Sequence, residues 1–378
     1  MPYPEATLVA QRLLRPSWVE IDLSAIQRNV AKARTLVGPT RKIYFVCKGD
    51  GFGFGADTVA KAALTAGVDG LCVGSPEEAC KIRQCGVSAD ILMFASTLPQ
   101  EVAAAVDLGV TMTIQSPEML QALLALQRPV KALVEVDSGF GRFGLSSKQW
   151  TVAFEQLSRQ ALVQLRGVYS HLSSPEDPVI TAQQAQVFDD AIRDAAQWGF
   201  TDLEHILASS RVMILHPELN YTGVDPGRFI YGALDQKLMQ QAGLDPLLKA
   251  VRGRIMHIQR HAAGAVLGLG YGAPLRIEAD MRLAIVPIGF WDGLNHAPPL
   301  GQVIVHGQFA PAVGRRSFQH TVIDVSAIPN AEIGSVVTLL GHDGGLEITG
   351  DELARTMQLP LMEVIPRLAR SLPHVFVG

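Results

Sequence analysis

Lys48 and the glycine-rich segment after it carry the first chemical signal in the sequence. The apolar run at residues 43–47 ends directly before Lys48, which is followed by Gly-Asp-Gly-Phe-Gly-Phe-Gly. A lysine at the end of a buried strand lies in apolar surroundings, which favour the neutral amine that forms a Schiff base with a carbonyl group. The glycines let the backbone approach a bulky planar ligand. A lysine beside such a turn is just as often structural, so the interpretation depends on other clusters.

Four further polar clusters follow apolar runs. The glycine-containing loop after Glu135 presents Arg142, a permanent cation suited to a carboxylate or a phenolate. His171 ends the next run, although a lone histidine there is as often a satisfied core residue. The loops after the seventh and eighth strands of a barrel commonly bind phosphate. The corresponding clusters here contain Ser209 in one loop and Asp225, Gly227 and Arg228 in the other.

The clusters recur because short apolar runs alternate with amphipathic segments of helical period. Apolar strands separated by helices indicate parallel βαβ units. Eight such units predict a (β/α)8 TIM-type barrel, in which catalytic groups lie at the carboxyl ends of the strands. The predicted strands are residues 43–47, 70–74, 91–95, 111–114, 132–136, 165–171, 203–208 and 229–233.

The pattern changes after about residue 245, where strand-like runs separated by turn residues predominate. This pattern indicates an antiparallel β domain, with one helix that begins at the capping sequence Thr349-Gly-Asp-Glu. The sequence therefore predicts an α/β protein in three parts. These are an N-terminal extension (residues 1–16), the barrel (residues 17–245) and the antiparallel β domain (residues 246–378).

Composition narrows the range of partners. The 378 residues carry a net charge of −4 with scattered lysines and arginines, whereas nucleic acid or an anionic membrane would require a basic face. No apolar run is long enough to cross a bilayer, and the N-terminus lacks the apolar core of a signal peptide. The four cysteines lack zinc-site spacing. We expect a cytoplasmic protein with reduced thiols, no metal, and no nucleic-acid or membrane partner.

Several blocks of the sequence resemble the alanine racemase family of fold type III pyridoxal-phosphate enzymes. The run VCKGDGFGFG resembles the cofactor-lysine signature of that family, and EVDSGFGRFG resembles its substrate-arginine loop. The blocks VYSHLSS, DPGRFIYG, GYGAPLR, PIGFWDG and AVGRRSFQHTVIDVS follow in the family's order, so the resemblance runs from about residue 16 to the C-terminus. It implies a pyridoxal 5′-phosphate-dependent isomerase that acts on a small amino acid as a homodimer with shared active sites.

The resemblance also implies roles for individual residues. Lys48 would bind the cofactor and act as one acid/base group, and Tyr271 of the β domain would act on the opposite face, in the neighbouring subunit's barrel. Two such groups can remove a proton from one side of a planar carbanion and return it to the other. Arg142 would hold the cofactor phenolate and the substrate carboxylate. The other cofactor-binding residues would be His171 at the ring and Ser209, Gly227 and Arg228 at the phosphate.

The sequence departs from the family where the cofactor ring is held. Asp225 stands in place of an arginine that donates to the pyridine nitrogen. An aspartate facing this nitrogen would keep it protonated and make the ring a stronger electron sink, unless Asp225 faces solvent and another group meets the nitrogen. Glu135 stands in place of a carbamylated lysine that orients the arginine, so we expect a Glu135–Arg142 ion pair.

Further departures concern the phosphate and the substrate entrance. Phe52 replaces a tyrosine whose hydroxyl reaches the phosphate, and Arg370 takes the place of another phosphate tyrosine. We therefore expect Arg370 or Arg228 to provide a charged phosphate contact. Residues 317–320 are Ser-Phe-Gln-His where the family usually has Cys-Met-Asp-Gln. This change places the aromatic ring of Phe318 at the predicted substrate site and alters the size and polarity of the pocket.

These observations leave three functions open. An amino-acid racemase or epimerase, whose substrate need not be alanine, agrees with the presence of Lys48, Tyr271 and Arg142. Another pyridoxal-phosphate reaction on the same scaffold, such as aminotransfer, decarboxylation or β-lyase chemistry, is favoured by Asp225. A non-catalytic cofactor-binding protein would have no use for both Lys48 and Tyr271.

Overall fold

The structure is a computed structural model that describes residues 15–269, 274–297 and 300–378. The strands of the described residues are β1 Ser17–Asp22, β2 Lys42–Val46, β3 Gly70–Val73, β4 Ile91–Met93, β5 Met112–Ile114, β6 Val130–Glu135, β7 Val163–Tyr169, β8 Glu204–Ser209, β9 Gly223–Asp225, β10 Leu248–Arg254, β11 His257–His261, β12 Val266–Leu267, β13 Leu275–Arg276, β14 Met281–Val286, β15 Gln302–Val305, β16 Gln308–Val313, β17 Thr321–Asp324, β18 Val336–Asp343, β19 Leu346–Ile348 and β20 His374–Val377. The α-helices are Leu23–Val37, Lys48–Phe52, Ala56–Thr65, Pro76–Gln84, Val102–Asp107, Pro117–Ala125, Ser147–Ser158, Pro178–Gln197, Ser210–Leu215, Gly227–Ile230, Gln236–Gln241, Gly350–Met357 and Leu361–Ser371.

Strands β2 to β9 form an eight-stranded parallel sheet in the order β4-β3-β2-β9-β8-β7-β6-β5. An isolated parallel bridge between Leu92 and Thr111 joins the two edges of this sheet and closes it into a barrel. Helices cover its outer face, so the strands are apolar on both sides, as the continuous apolar runs indicated. The predicted barrel followed by an antiparallel β domain is confirmed.

The eighth strand of the barrel is not the predicted run at residues 229–233. It is Gly223–Asp225, and the apolar residues that follow form the short helix Gly227–Ile230 and a turn. The prediction was wrong because a short buried apolar run has no periodicity that separates a strand from a buried helix. The correction matters for the site, because Asp225 is now the last residue of a barrel strand.

Ion pairs fill the amino end of the barrel. The guanidinium of Arg166 contacts Asp90 and Glu204, each at 2.6 Å, and Lys42 contacts Glu204 at 2.6 Å. Groups at this end of a barrel typically serve stability, whereas the carboxyl ends of the strands hold the chemistry. The cavity described below lies at the carboxyl end.

The second sheet is mainly antiparallel, in the order β11-β14-β17-β16-β15-β18-β10-β1-β20, with β19 paired to β18. Strand β1 belongs to this sheet, since it pairs antiparallel with β10 and parallel with β20. The boundary drawn at residue 17 therefore assigns to the barrel a strand that the structure pairs with the C-terminal sheet. The helix predicted from its capping sequence is present, with Thr349 and Glu352 in a reciprocal capping box.

The two domains meet beside Lys48. Helix Leu361–Ser371 of the second domain packs against the turn that follows Lys48, where Gly53 adopts a φ of 87°. An added Cβ at Gly53 would lie 2.8 Å from the carbonyl oxygen of Pro366 and 2.9 Å from the amide nitrogen of Arg370. Glycine is thus required for this close approach. In the described parts of the chain, no helix is both long and apolar enough to cross a bilayer.

Candidate active site

A cavity of about 820 Å³ opens at the carboxyl end of the barrel. Its volume lies within the range of small-molecule and cofactor sites, roughly 300–1,000 Å³. It is lined by residues from all five clusters that the sequence singled out: Lys48, Arg142, His171, Ser209, Asp225, Gly227 and Arg228. The parallel strands bring these residues together because their carboxyl ends meet at one edge of the barrel.

Lys48 follows β2, Asp225 ends the neighbouring strand β9, and both line the same cavity. Lys48 follows β2 by two residues, and its Nζ lies 5.4 Å from the ring centroid of Phe94. Asp225 ends β9, and burial raises the pKa of its carboxyl to about 7, although the Lys48 ammonium acts in the opposite direction. The Asp225 carboxyl is thereby poised to hold or release a proton near neutral pH.

His171 contributes an uncharged ring to the cavity. Burial, together with the positive charges of Lys48 and Arg142, lowers its pKa to about 4. The ring of Phe140 meets the imidazole edge to face, with 5.4 Å between the centroids. At neutral pH His171 therefore presents a neutral planar surface between two cations, which suits packing against a flat aromatic ligand.

Glu135 and Arg142 do not form the expected ion pair. The Arg142 guanidinium carbon lies 4.5 Å from the ring centroid of Phe140 and 5.8 Å from that of Phe143, on an exposed loop. The Glu135 side chain is buried, with 6% exposure, and contacts the Tyr169 hydroxyl. Its second carboxylate oxygen has no hydrogen-bond partner. The prediction failed because Glu135 is buried at the end of β6, whereas Arg142 lies on the exposed loop that follows.

The carboxyl ends of β8 and β9 form a polar end of the cavity. Ser209 ends β8, and Gly227 follows β9 at the start of helix Gly227–Ile230. An added Cβ at Gly227 would lie 3.0 Å from the Cβ of Val46, so the backbone of Gly227 packs closely against β2. The backbone amide of Gly227 and the hydroxyl of Ser209 thus lie at the same end of the cavity.

Arg211 and Arg228 lie at this end, near the acidic side chains of Glu176 and Asp235. Burial lowers the pKa of Arg228, and the nearby Arg211 guanidinium lowers it further. Arg211 pairs with Glu176 and with Asp235, the second contact being 2.5 Å between Nη2 and Oδ2. Because two carboxylates already balance Arg211, the guanidinium of Arg228 is the one that could bind an anion at this end. The sequence contained no local signal for the Arg211 ion pairs, because their partners are 24 and 35 residues away.

The residue that helix Leu361–Ser371 contributes to the cavity is Met362, not Arg370. Arg370 is exposed and does not line the cavity, so the predicted phosphate contact of Arg370 is not found. Eight residues separate the two positions, and at 1.5 Å per residue the helix carries Arg370 about 12 Å farther along its axis. The helix faces the cavity with its first turn, which its sequence pattern did not reveal.

Phe318 does not line the described cavity. Phe318 is 51% exposed in the second domain, stacked on Trp291 at 5.2 Å and edge-on to Phe290 at 5.2 Å. Tyr271 lies outside the described residues. Phe318 therefore belongs to an exposed aromatic cluster of Phe290, Trp291 and Phe318 on the surface of the second domain.

Comparison with known proteins agrees with this architecture. Family models of the alanine racemase N-terminal domain and C-terminal domain match residues 21–235 and 249–376. The chain belongs to the alanine racemase family. An alanine racemase from Nostoc sp. is 33% identical over 374 residues, which cover 96% of both chains. The predicted membership of this enzyme family is thereby confirmed.

Solved structures of the family share the whole fold. The alanine racemase from Bacillus anthracis with bound L-Ala-P superposes with a TM-score of 0.88 at 25% identity, covering 97% of this chain and 96% of that one. The alanine racemase from a D-cycloserine-producing Streptomyces lavendulae gives a TM-score of 0.87 at 26% identity, covering 97% and 98%. The arrangement of barrel and β domain is thus common to the family.

Proposed function

We propose that this protein is a pyridoxal 5′-phosphate-dependent amino-acid racemase in which Lys48 binds the cofactor. The observation that supports this most strongly is that an amine, a carboxyl and a guanidinium share one cavity, at Lys48, Asp225 and Arg228. Membership of the alanine racemase family supports the same assignment.

The chemistry of the cavity fits each part of pyridoxal 5′-phosphate. The aldehyde requires a primary amine, which Lys48 supplies, and the phosphate requires donors and positive charge, which Ser209, the Gly227 amide and Arg228 supply. The pyridine nitrogen requires a partner, and Asp225 supplies a carboxyl. When bound, the cofactor withdraws electrons from the amino acid and makes its α-hydrogen acidic.

Racemisation then requires proton transfer on two faces. The amine of Lys48 would take or return the proton on one face, and we assign the other face to Tyr271, which lies outside the described residues. Arg142 would bind the substrate carboxylate from its loop beside Phe140 and Phe143. His171, neutral at working pH because its pKa is about 4, would pack beside the ring without adding charge.

A second reaction remains a candidate because of Asp225. Its carboxyl, with a pKa raised to about 7 by burial, would share a proton with the pyridine nitrogen and hold positive charge there. Greater charge on the ring stabilises a carbanion for longer, so aminotransfer, decarboxylation or β-lyase chemistry becomes accessible. The substrate is accordingly proposed as a small amino acid that need not be alanine.

We further propose that the active unit is a homodimer in which the second domain of one chain completes the site of the other. The exposed aromatic cluster of Phe290, Trp291 and Phe318 supports this, with exposures of 39%, 59% and 51%. Exposed clusters of large aromatic side chains are typical of protein interfaces. A shared site would also give Tyr271 and Phe318 their roles at the substrate.

The deciding experiment is incubation with a panel of L-amino acids in deuterated water, followed by chiral analysis and product mass. Racemisation is expected to produce the D-enantiomer with one deuterium at the α-carbon. Lys48→Ala, which lacks the amine, is the matched control and should give neither exchange nor inversion. Loss of the carboxylate or the amino group would instead favour the second reaction, and Asp225→Arg should then suppress that product more than the inversion. No exchange, no inversion and no other product with any amino acid would contradict both.

A further inference from the structure

The side chain of Glu78 connects two loops at the catalytic end of the barrel. Its Oε1 accepts hydrogen bonds from the amides of Gly49, at 2.6 Å, and Asp50, at 3.2 Å. Its Oε2 accepts from the amide of Gly74, at 2.8 Å. One carboxylate thus satisfies three backbone donors, two in the turn after Lys48 and one at the end of β3. Hydrogen bonds to an ionised acceptor are the strong kind.

The turn held by Glu78 has an unusual backbone. Five successive residues adopt left-handed φ values: Gly49 at 66°, Asp50 at 53°, Gly51 at 65°, Phe52 at 56° and Gly53 at 87°. Residues with a Cβ pay a conformational cost in this region, and such strain persists only where neighbouring structure maintains it. The turn directly follows Lys48, so its conformation restrains the backbone from which the Lys48 side chain extends.

A second contact from the same helix holds the same turn. Lys81 pairs with Asp50 at 2.6 Å, and Asp50 also accepts from the amide of Ala56 at 3.0 Å. Glu78 and Lys81 are three residues apart on helix Pro76–Gln84 and therefore lie on one face of it. Glu78 thus binds backbone amides of the turn, and Lys81 binds the side chain of Asp50 in the same turn.

Glu78 also holds the wall along which the Lys48 side chain runs. An added Cβ at Gly74 would lie 3.1 Å from the Cβ of Lys48, 4.0 Å from its Cδ and 3.4 Å from Oε2 of Glu78. The aliphatic stem of Lys48 therefore passes directly over Gly74. Glu78 accepts hydrogen bonds both from the amide of Gly74 and from the turn after Lys48. It therefore holds the backbone below the Lys48 stem and the backbone that follows Lys48 in a fixed arrangement.

We infer that Glu78 is a positioning residue that orients the Lys48 amine. This inference rests on the proposed function, in which Lys48 bonds to the cofactor and moves a proton. Without the Glu78 carboxylate, the left-handed turn has no acceptor for the amides of Gly49 and Asp50, and the turn relaxes. A displacement of about 1 Å at a reacting group costs about 100-fold in rate.

The test compares Glu78→Ala and Glu78→Gln with Ser75→Ala in the purified protein. Ser75 is the matched control because its hydroxyl caps helix Pro76–Gln84 by accepting from the amide of Glu78 but does not contact the turn. The first readout is the rate at which Lys48 bonds to added pyridoxal 5′-phosphate, followed by visible absorbance and fixed with borohydride. The second readout is the pair of kinetic constants, kcat and KM, measured separately. The third is the midpoint temperature of thermal unfolding.

Glu78→Ala is expected to slow bond formation at Lys48 and to lower kcat by about 10- to 100-fold, with little change in KM. Glu78→Gln keeps one acceptor oxygen but turns an amide donor toward a backbone amide, so an intermediate loss is expected. Ser75→Ala should lower the thermal midpoint and leave both rates near wild type. The gradient from wild type through Glu78→Gln to Glu78→Ala is the signature of positioning.

Three outcomes would overturn the inference. Wild-type rates in Glu78→Ala would mean that the turn holds its conformation alone. Equal losses in Ser75→Ala would mean that only helix stability matters. A rise in KM with unchanged kcat and unchanged bond formation would place Glu78 outside the orientation of Lys48. Wild-type protein that forms no bond at Lys48 would instead contradict the proposed function itself.

Discussion

Glu135 can be interpreted either as a buried carboxyl without an ionic partner or as the partner of Arg142. The two interpretations predict opposite changes of protein stability with pH. The Glu135 side chain is buried, and burial raises the pKa of its carboxyl to about 7 from an ordinary value of 4.5, despite the Tyr169 contact and the Arg142 charge. One carboxylate oxygen has no partner. An ion pair with Arg142, which the sequence led us to expect, would lower that pKa instead.

The size of the expected change in stability follows from the linkage between protonation of Glu135 and folding. Between pH 4.5 and about 7 the folded protein keeps the Glu135 proton, whereas the unfolded chain has lost it. The free energy of unfolding therefore falls as pH rises through this interval. The interval is about 2.5 pH units and each is worth about 1.4 kcal/mol, so the loss is about 3.5 kcal/mol at most. Glu135→Gln removes the titrating group while keeping the shape of the side chain.

The measurement is the free energy of unfolding by urea, at pH 4.5 and pH 8, on cofactor-free protein. Glu135→Gln should equal wild type at pH 4.5 within error and exceed it by up to about 3.5 kcal/mol at pH 8. Glu332→Gln makes the same chemical change at an exposed position of the second domain and serves as the control. A Glu135→Gln variant that is less stable than wild type at pH 8 would refute burial as the dominant effect. It would show instead that the carboxylate is stabilised by a partner in the folded protein.

Three further predictions concern the cofactor, the assembly and the fold. Borohydride reduction followed by tryptic digestion should place the pyridoxal label on Lys48, and a label on another lysine would contradict the assignment. Mixing Lys48→Ala with Tyr271→Phe should restore activity, because hybrid dimers would contain one intact site, whereas no recovery after confirmed subunit exchange would mean that each site lies within one chain. Asn29→Leu should destabilise the protein by about 3 kcal/mol, because it leaves buried backbone groups unpaired. The Asn29 side chain donates to the carbonyls of Ile230, at 3.1 Å, and Asp245, at 2.7 Å, and accepts from the Asp245 amide at 3.0 Å. A loss below about 1 kcal/mol in urea unfolding would refute that account.

The features that could be predicted from the sequence are those determined by local pattern. Continuous apolar runs separated by helical segments predict a parallel barrel, because strands covered on both faces carry no alternation. Once the barrel is recognised, the polar groups that end its strands must converge at one edge, which correctly grouped Lys48, His171 and Asp225 around one cavity. The capping box at Thr349 was likewise visible, because its partners are three residues apart.

The features that only the tertiary structure decided depend on partners far apart in the chain. Strand β1 pairs with β10 and β20, more than 200 residues away, and its own sequence says nothing about which sheet it joins. Met362 rather than Arg370 reaches the cavity because the orientation of a whole helix decides which turn points inward. Glu78 was not recognised because its three hydrogen bonds go to backbone amides, which every sequence contains. Side-chain types can suggest an ion pair such as Glu135–Arg142, but the direction of the loop that carries Arg142 decides whether it forms.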